Sequence, residues 1–505
     1  MELAEQAESL NHLVDENPRE AIRQALELSG NINIDLLKAA ILVDAGGLLK
    51  DFDSVFKGVE IFRFVVGKCK ENSELNYNLA NGLHALALST SYEGYSWYGV
   101  TEKYRLEARQ LFYKSAIDAE ASSDTRSQSF TNLGNLLWSS YRWVEAYDFY
   151  SQALEENPKN AVASSGALKM LRYALGQGLG DPDLVKAEIE HLASHINQNI
   201  DTIHAYSGEY GVNGIMGEIT NIRPSRKSDQ EVQVDSYERF VIKNNLTLSP
   251  TIHSHSHNSE HWDNINISSV TSPSGSEFGV PEIFAMVNVI KSDYILARQI
   301  FFHACNDHFN ETANYNDTLD YASYGINESA LALAQRSALD ILDKIAVASL
   351  SYLKVSSAKD ASMKNAWFKK PEKGQKTREF DPIIKAEIEN GNTALLALTE
   401  VSRDLSNKQG FLSKKQSSRN SSTHRFTVLH DMGIPREKGT SGCVEHFDLE
   451  EFTHESLSTL KLTRAAVVYF VQMVLIRERR ISEETGEVTV PLFVPSHEYI
   501  RGGDE

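Results

Sequence analysis

Apolar positions recur at three- and four-residue spacings from the start of the chain to about residue 205, the period of amphipathic helices. The clearest stretch begins at Thr131. Leu133, Gly134 and Leu137 start one helical face, and Ala146, Tyr150, Ala153 and Pro158 follow. From Gly134 the gaps are 12, 4, 3 and 5 residues. That spacing places a small residue where two helices touch, an aromatic ring on the second helix, and a proline to end the unit. A weaker copy pairs Leu79, Ala80 and Leu83 with Ala108, Phe112 and Ser115, across the aromatic insertion TSYEGYSWYGVTEKY. Gly58, Phe62 and Val65 repeat the inner spacing once more. Residues 206–280 lose this period and are rich in Gly and Ser, which reads as a connector. Helical period returns in four segments, 281–306, 327–353, 392–405 (running on towards 430) and 449–479. Four such helices form a compact bundle. The tail after residue 480 alternates like a short strand or an extended arm.

The gaps around Gly134 and Tyr150 resemble the tetratricopeptide repeat. Three stacked units can bury a continuous core, whereas one cannot. The expected architecture is therefore all-α, with tetratricopeptide-like repeats over 1–205, a connector over 206–280, a helical bundle over 281–480 and an extension over 481–505. A plain helical bundle with coincidental spacing is the competing reading of the first part. Repeat arrays of this class bind peptides or proteins, so a protein regulator or trigger is expected there.

Composition narrows the function. The formal charge is 50 − 69 = −19, which argues against a general nucleic-acid coat. Two stretches run against that balance. Lys364, Lys369, Lys370, Lys373, Lys376 and Arg378 are accompanied by one acid, Glu372. Lys408, Lys414, Lys415, Arg419 and Arg425 have no acid among them. These runs suit an RNA path on an acidic scaffold, although solvated basic loops have the same composition. Cys69, Cys305 and Cys443 are odd in number and far apart, as expected of free thiols in a reducing cytosol. The N-terminus has no basic start or apolar core of a signal peptide, and Ala465–Ile476 is too short to span a bilayer. No membrane role is expected.

Two motifs bear on chemistry. His253, His255, His257 and His261, with Glu260 and Asp263, could attract a metal. A serine-spaced polar loop lacks the fixed geometry of a zinc site, so no metal or cofactor is assigned. The second motif is Arg-x4-His, which occurs as Arg298–His303, Arg419–His424 and Arg425–His430. About one such match is expected by chance in a chain of this size, so context decides. Arg298 and His303 enclose apolar Ile300, Phe301 and Phe302, which reads as helix packing with a surface charge. Arg419 is followed by polar Asn420, whereas Arg425 is followed by Phe426.

Arg419-Asn420-Ser421-Ser422-Thr423-His424 resembles the motif of HEPN-superfamily ribonucleases. The ordered blocks KNNLTLSP, IKSDYILARQIFFHA, QRSALDILDKIA, NTALLALTEVSRDL and RNSSTHRF extend the resemblance over residues 240–480. It implies a metal-independent endoribonuclease acting on tRNA or mRNA, with His424 as general base or acid, Arg419 stabilising phosphate and Asn420 assisting. Lys408, Lys414, Lys415, Arg425, Lys369 and Lys370 would contact RNA. Positions i and i+5 of a helix lie about 140° apart, so the pair flanks a groove rather than meeting directly. In the superfamily two such helices face each other across a homodimer. The resemblance also implies a prokaryotic toxin or anti-phage role. Two departures matter. Phe426 stands where many such toxins carry a modifiable Tyr. Ser421, Ser422 and Thr423 have weak helix propensity, so Ser417 or Ser418 becomes a candidate helix start. A non-catalytic scaffold that dimerises or binds nucleotide is the competing reading, and His430 is an alternative to His424.

Overall fold

The computed structural model describes residues 2–69, 72–219, 235–249, 262–271, 280–356, 361–369, 379–415, 425–434 and 442–485. The chain divides into two compact units. The first comprises Met1–Gln177, Lys186–Arg226 and Asp404–Ser413, and the second Gly178–Val185, Lys227–Arg403 and Lys414–Glu505.

The first unit is an array of short helices: α1 (Glu2–Glu16), α2 (Pro18–Glu27), α3 (Ile32–Leu49), α4 (Phe52–Lys68), α5 (Ser73–Leu88), α6 (Gly94–Val100), α7 (Glu102–Ile117), α8 (Ser123–Trp138), α9 (Trp143–Glu156) and α10 (Ala161–Gly176). It continues through α11 (Pro182–Gln198), which starts within the second unit, and α12 (Ile200–Ile219). Side-chain caps start many of these helices. Asn31, Asp51, Asn72, Ser122 and Asn160 each accept hydrogen bonds from backbone N–H groups of the first turn. The aromatic insertion forms α6, between α5 and α7.

The repeat spacing has its physical cause in Tyr150. This ring, 1% exposed, wedges between α8 and α10. A Cβ added at Gly134 would lie 2.7 Å from it, and one at Gly166 would lie 2.4 Å away. Only glycine lets these helices close on the ring. Gly58 plays the same part in α4, where an added Cβ would sit 2.9 Å from the Ala39 carbonyl oxygen and 2.8 Å from Val43. Leu79, Ala80, Leu83, Ala108, Phe112 and Ser115 are all buried. The Gly- and Ser-rich connector begins inside α12, which breaks at Gly208 with φ +61°.

Residues 404–413 count with this first unit, and Asp404 is the reason. Its fully buried carboxylate accepts hydrogen bonds from Arg109 at 3.0 Å and from Arg142. Arg142 also grips Glu145 at 2.8 Å. Phe411 lies 5.4 Å from the Arg142 guanidinium and packs beside Tyr113 and Phe149.

The second unit contains α13 (Ser236–Lys243), α14 (Glu282–Phe302), α15 (Ile326–Tyr352), α16 (Pro382–Glu389), α17 (Thr393–Ser406) and α18 (Leu449–Thr485). The last turn of α17 passes into the first unit. Helices α14, α15 and α18 pack on one another. By length and composition α18 could cross a membrane, but its most apolar stretch is 83% buried and forms the core of the unit. Glu387 of α16 is held by Arg477 and Arg480 of α18, each at 2.7 Å. Arg298 differs from the sequence expectation. It is 2% exposed, paired with Asp263 at 2.6 Å and bonded to the Leu246 carbonyl at 2.8 Å, so its charge is not on the surface. His303 begins a single π-helical turn and lies 3.2 Å from Asp307.

The third bundle helix does not run on towards residue 430. It stops at Ser406, and Phe426–His430 forms a strand. The sequence FTVLH explains this, because β-branched and aromatic side chains suit a pleated strand. Strand β1 (Ala322–Ser323) pairs antiparallel with β2 (Phe426–His430), which pairs parallel with β3 (Val444–Asp448).

Candidate functional site at the three-stranded sheet

Arg419, Asn420 and His424 lie outside the described residues, as do Lys370 and the histidines at 253, 255, 257 and 261. Arg425, the residue after His424, is the first described one beyond the motif. Its guanidinium pairs with Glu445 of β3. It also lines a cleft of about 270 Å³ with Arg336 of α15, Tyr324, Ser329, Glu328 and Phe426. Arg336 has no hydrogen-bond or ion-pair partner among the described residues. A partly buried guanidinium in a cleft with hydroxyl groups is suited to a phosphate. Phe426 is 72% exposed at the rim.

The other basic residues sit as follows. Lys369 pairs with Glu379 at 3.3 Å, and Lys414 stands 4.0 Å from Glu451 with its side chain 86% exposed. Lys408 is exposed on the segment that belongs to the first unit. Lys415 corrects an expectation. Its side chain is only 4% exposed, and its ammonium donates to Glu455 at 2.8 Å and Ser458 at 3.1 Å. A lysine anchored inside the bundle does not offer its charge to RNA.

His430 is fully buried. Its Nδ1 is 3.0 Å from the Asp320 carbonyl oxygen, and its Nε2 is 2.7 Å from Nδ1 of His446. A carbonyl can only accept, so Nδ1 of His430 carries a proton. With both rings neutral, His446 then donates to Nε2 of His430. The Thr318 hydroxyl bonded to Asp320 holds that carboxyl below the usual carboxylate range. Register brings His430 opposite Ala322 and Asp448, and His446 opposite Val428. The Arg425–His430 spacing thus falls on the central strand of the sheet and the residue just before it, not on a helix. Sequence reasoning named Arg425 and His430 but missed Arg336, His446 and Asp320. No local pattern marks them, because a two-residue strand and a parallel pairing leave no periodic trace.

The architecture defines a class: a helical-repeat unit with a helical bundle that carries a small mixed sheet. Residues 274–478 match the family model described as LA2681-like HEPN, so the C-terminal part of the chain is an HEPN domain. No curated protein matches the chain. Among solved structures, the crystal structure of BtubC (BKLC) from P. vanneervenii is 18% identical, covering 47% of this chain and 99% of its own, with a TM-score of 0.21. That likeness is too slight to bear on fold or function.

Proposed function

We propose that the protein is a metal-independent endoribonuclease acting on tRNA or mRNA, and that it serves a prokaryote as a toxin or anti-phage effector. The observation that carries this reading is the HEPN match over 274–478, which contains Arg419, Asn420 and His424. In the reaction the 2′-oxygen bonds to the adjacent phosphorus, its proton passes to a base, the bond from phosphorus to the 5′-oxygen breaks, and an acid protonates that oxygen. Two copies of the domain, each bringing one His424 and one Arg419, supply base, acid and charge stabilisation. Asn420 orients the phosphate. The cleft with Arg336 and Arg425 supports the reading, since it offers guanidinium groups next to the motif in sequence. In the first unit, a cleft of about 800 Å³ lined by Asn78, Asn81, Asn132, Tyr77 and His204 supports a role for the array in binding a regulator.

A second reading, a scaffold that dimerises without cleaving, is favoured by Phe426. This exposed ring takes the place of a modifiable hydroxyl and suits an interface.

The deciding experiment is cleavage of total tRNA and a synthetic RNA by purified protein, with and without EDTA. Wild type should leave 2′,3′-cyclic phosphate ends under both conditions. His424→Ala should lose about 10²- to 10⁴-fold in rate. Equal cleavage by both proteins removes His424 from the mechanism, and no cleavage by either favours the scaffold.

A further inference from the structure

The geometry points to a metal site at the sheet: Asp320, His430 and His446 together bind one zinc-class divalent cation. One ligand atom from each residue lies within 4.8 Å of the others. The donor set, two imidazole nitrogens and a carboxylate oxygen, is typical of Zn²⁺ with its fourth position left to water.

Three features prepare the site. First, Nδ1–H of His430 is committed to the Asp320 carbonyl, which fixes the ring and presents the Nε2 lone pair to the centre. This is the tautomer that an Nε2 ligand needs. Second, His430 is fully buried, so its ring does not exchange between solvent-facing orientations. Third, Leu319 and Tyr321, on either side of Asp320, both hold left-handed backbone, with φ of 57° and 60°. Such conformations are disfavoured in bulky residues and persist where the surroundings impose them.

Without metal, the two imidazoles hydrogen bond to each other at 2.7 Å. Around tetrahedral zinc the nitrogens stand about 3.3 Å apart, so the rings need to separate by about 0.6 Å. His446 moves its proton from Nδ1 to Nε2 on loading, with no net proton release when both rings are neutral. The bound ion clamps residues far apart in sequence. His430 is 110 residues from Asp320 and 16 from His446. It therefore fastens the strand that directly follows Arg419–His424. The role is structural and asks nothing of the cleavage chemistry.

The test is metal content. Full-length protein is equilibrated with Zn²⁺, passed through gel filtration, and analysed by plasma mass spectrometry. Wild type should retain one zinc per chain. The triple variant His253→Ala/His255→Ala/His257→Ala should also retain it, which separates this site from the histidine run. His446→Ala should lose it. Asp320→Asn, which keeps the backbone carbonyl, should bind at least about tenfold more weakly while keeping its circular dichroism. Co²⁺ added to wild type should give the visible absorption of a four-coordinate site. The inference is overturned if wild type retains no zinc, if zinc is lost in the triple variant, or if His446→Ala holds it as tightly as wild type. None of these readouts depends on RNA cleavage.

Discussion

The two units are both helical, yet their helices are joined by different means. In the array, helices α3 to α5 and α7 to α10 run 14 to 18 residues and meet at small residues, and one ring, Tyr150, is clasped by two glycines. In the bundle, helices of 21, 27 and 37 residues pack through continuous apolar faces. Their loops and short helices are tied down by single buried ion pairs, namely Arg298–Asp263, Lys415–Glu455 and Glu387 with Arg477 and Arg480. A repeat carries its contacts locally, so the same spacing recurs along the chain. A bundle makes contacts between distant residues, and each ion pair is a separate solution. The array contains one exception to its own rule. Asp404 enters it from a remote part of the sequence and pairs with two buried arginines.

That exception gives the largest expected effect. Asp404→Ala leaves Arg109 and Arg142 facing each other without their shared carboxylate. Removing one partner of a buried pair typically costs about 3–5 kcal/mol. Urea unfolding should show this as a lower midpoint of the transition that includes the array. A change under about 1 kcal/mol would mean that Glu145 and solvent compensate, and that the segment is not held by charge.

The next effect probes the repeat contacts. Gly166→Ala puts a methyl 2.4 Å from the Tyr150 ring, which cannot retreat because Gly134 backs it on the other side. The ring hydroxyl is also held by Asn135 at 2.8 Å. Overpacking of this kind costs about 1–3 kcal/mol. The double variant Gly166→Ala/Tyr150→Phe should not recover the loss, since the clash involves ring carbons, whereas Gly166→Ala/Tyr150→Leu should recover part of it. Thermal unfolding of the three proteins checks the order.

Legibility followed the same division. The gaps from Gly134 to Pro158 show the array because Gly134 and Tyr150 meet where α8 packs on α9. The bundle helices were legible for a similar reason. Segments expected at 281–306, 327–353 and 392–405 became α14, α15 and α17 with shifts of a few residues. What was hidden is whatever depends on distant partners. Asp404 ended an apparently ordinary helix pattern, and nothing local marked it as a ligand for arginines on α7 and at the start of α9. Arg298 looks like a surface charge from its sequence because its partner, Asp263, lies in the irregular connector. At the site, Arg425 and His430 were visible through their motif spacing. Arg336, His446 and Asp320 came together only through the sheet. Lys415 belongs to a basic run by composition, but its pairing with Glu455 holds its charge inside the bundle.

A third effect is a pH dependence confined to the array. His84 on α5 is pushed down to about 4 by burial, and the nearby Arg109 charge acts in the same direction. The unfolded chain has its histidine near 6.5. Because the folded value is depressed, the unfolded state binds the proton first as pH falls. The stability is therefore fully present above about pH 6.5 and is lost progressively between about 6.5 and 4, to an extent of about 2 kcal/mol once residual exposure is allowed for. His84→Gln removes the titration while keeping a polar side chain. Its unfolding free energy should be flatter than that of wild type across this window and equal in slope above pH 7. An unchanged slope below pH 6 would show that His84 reaches solvent well enough to protonate in the folded array. The acid sensitivity would then lie elsewhere, and the Arg109 environment would be less shielded than its contact with Asp404 implies.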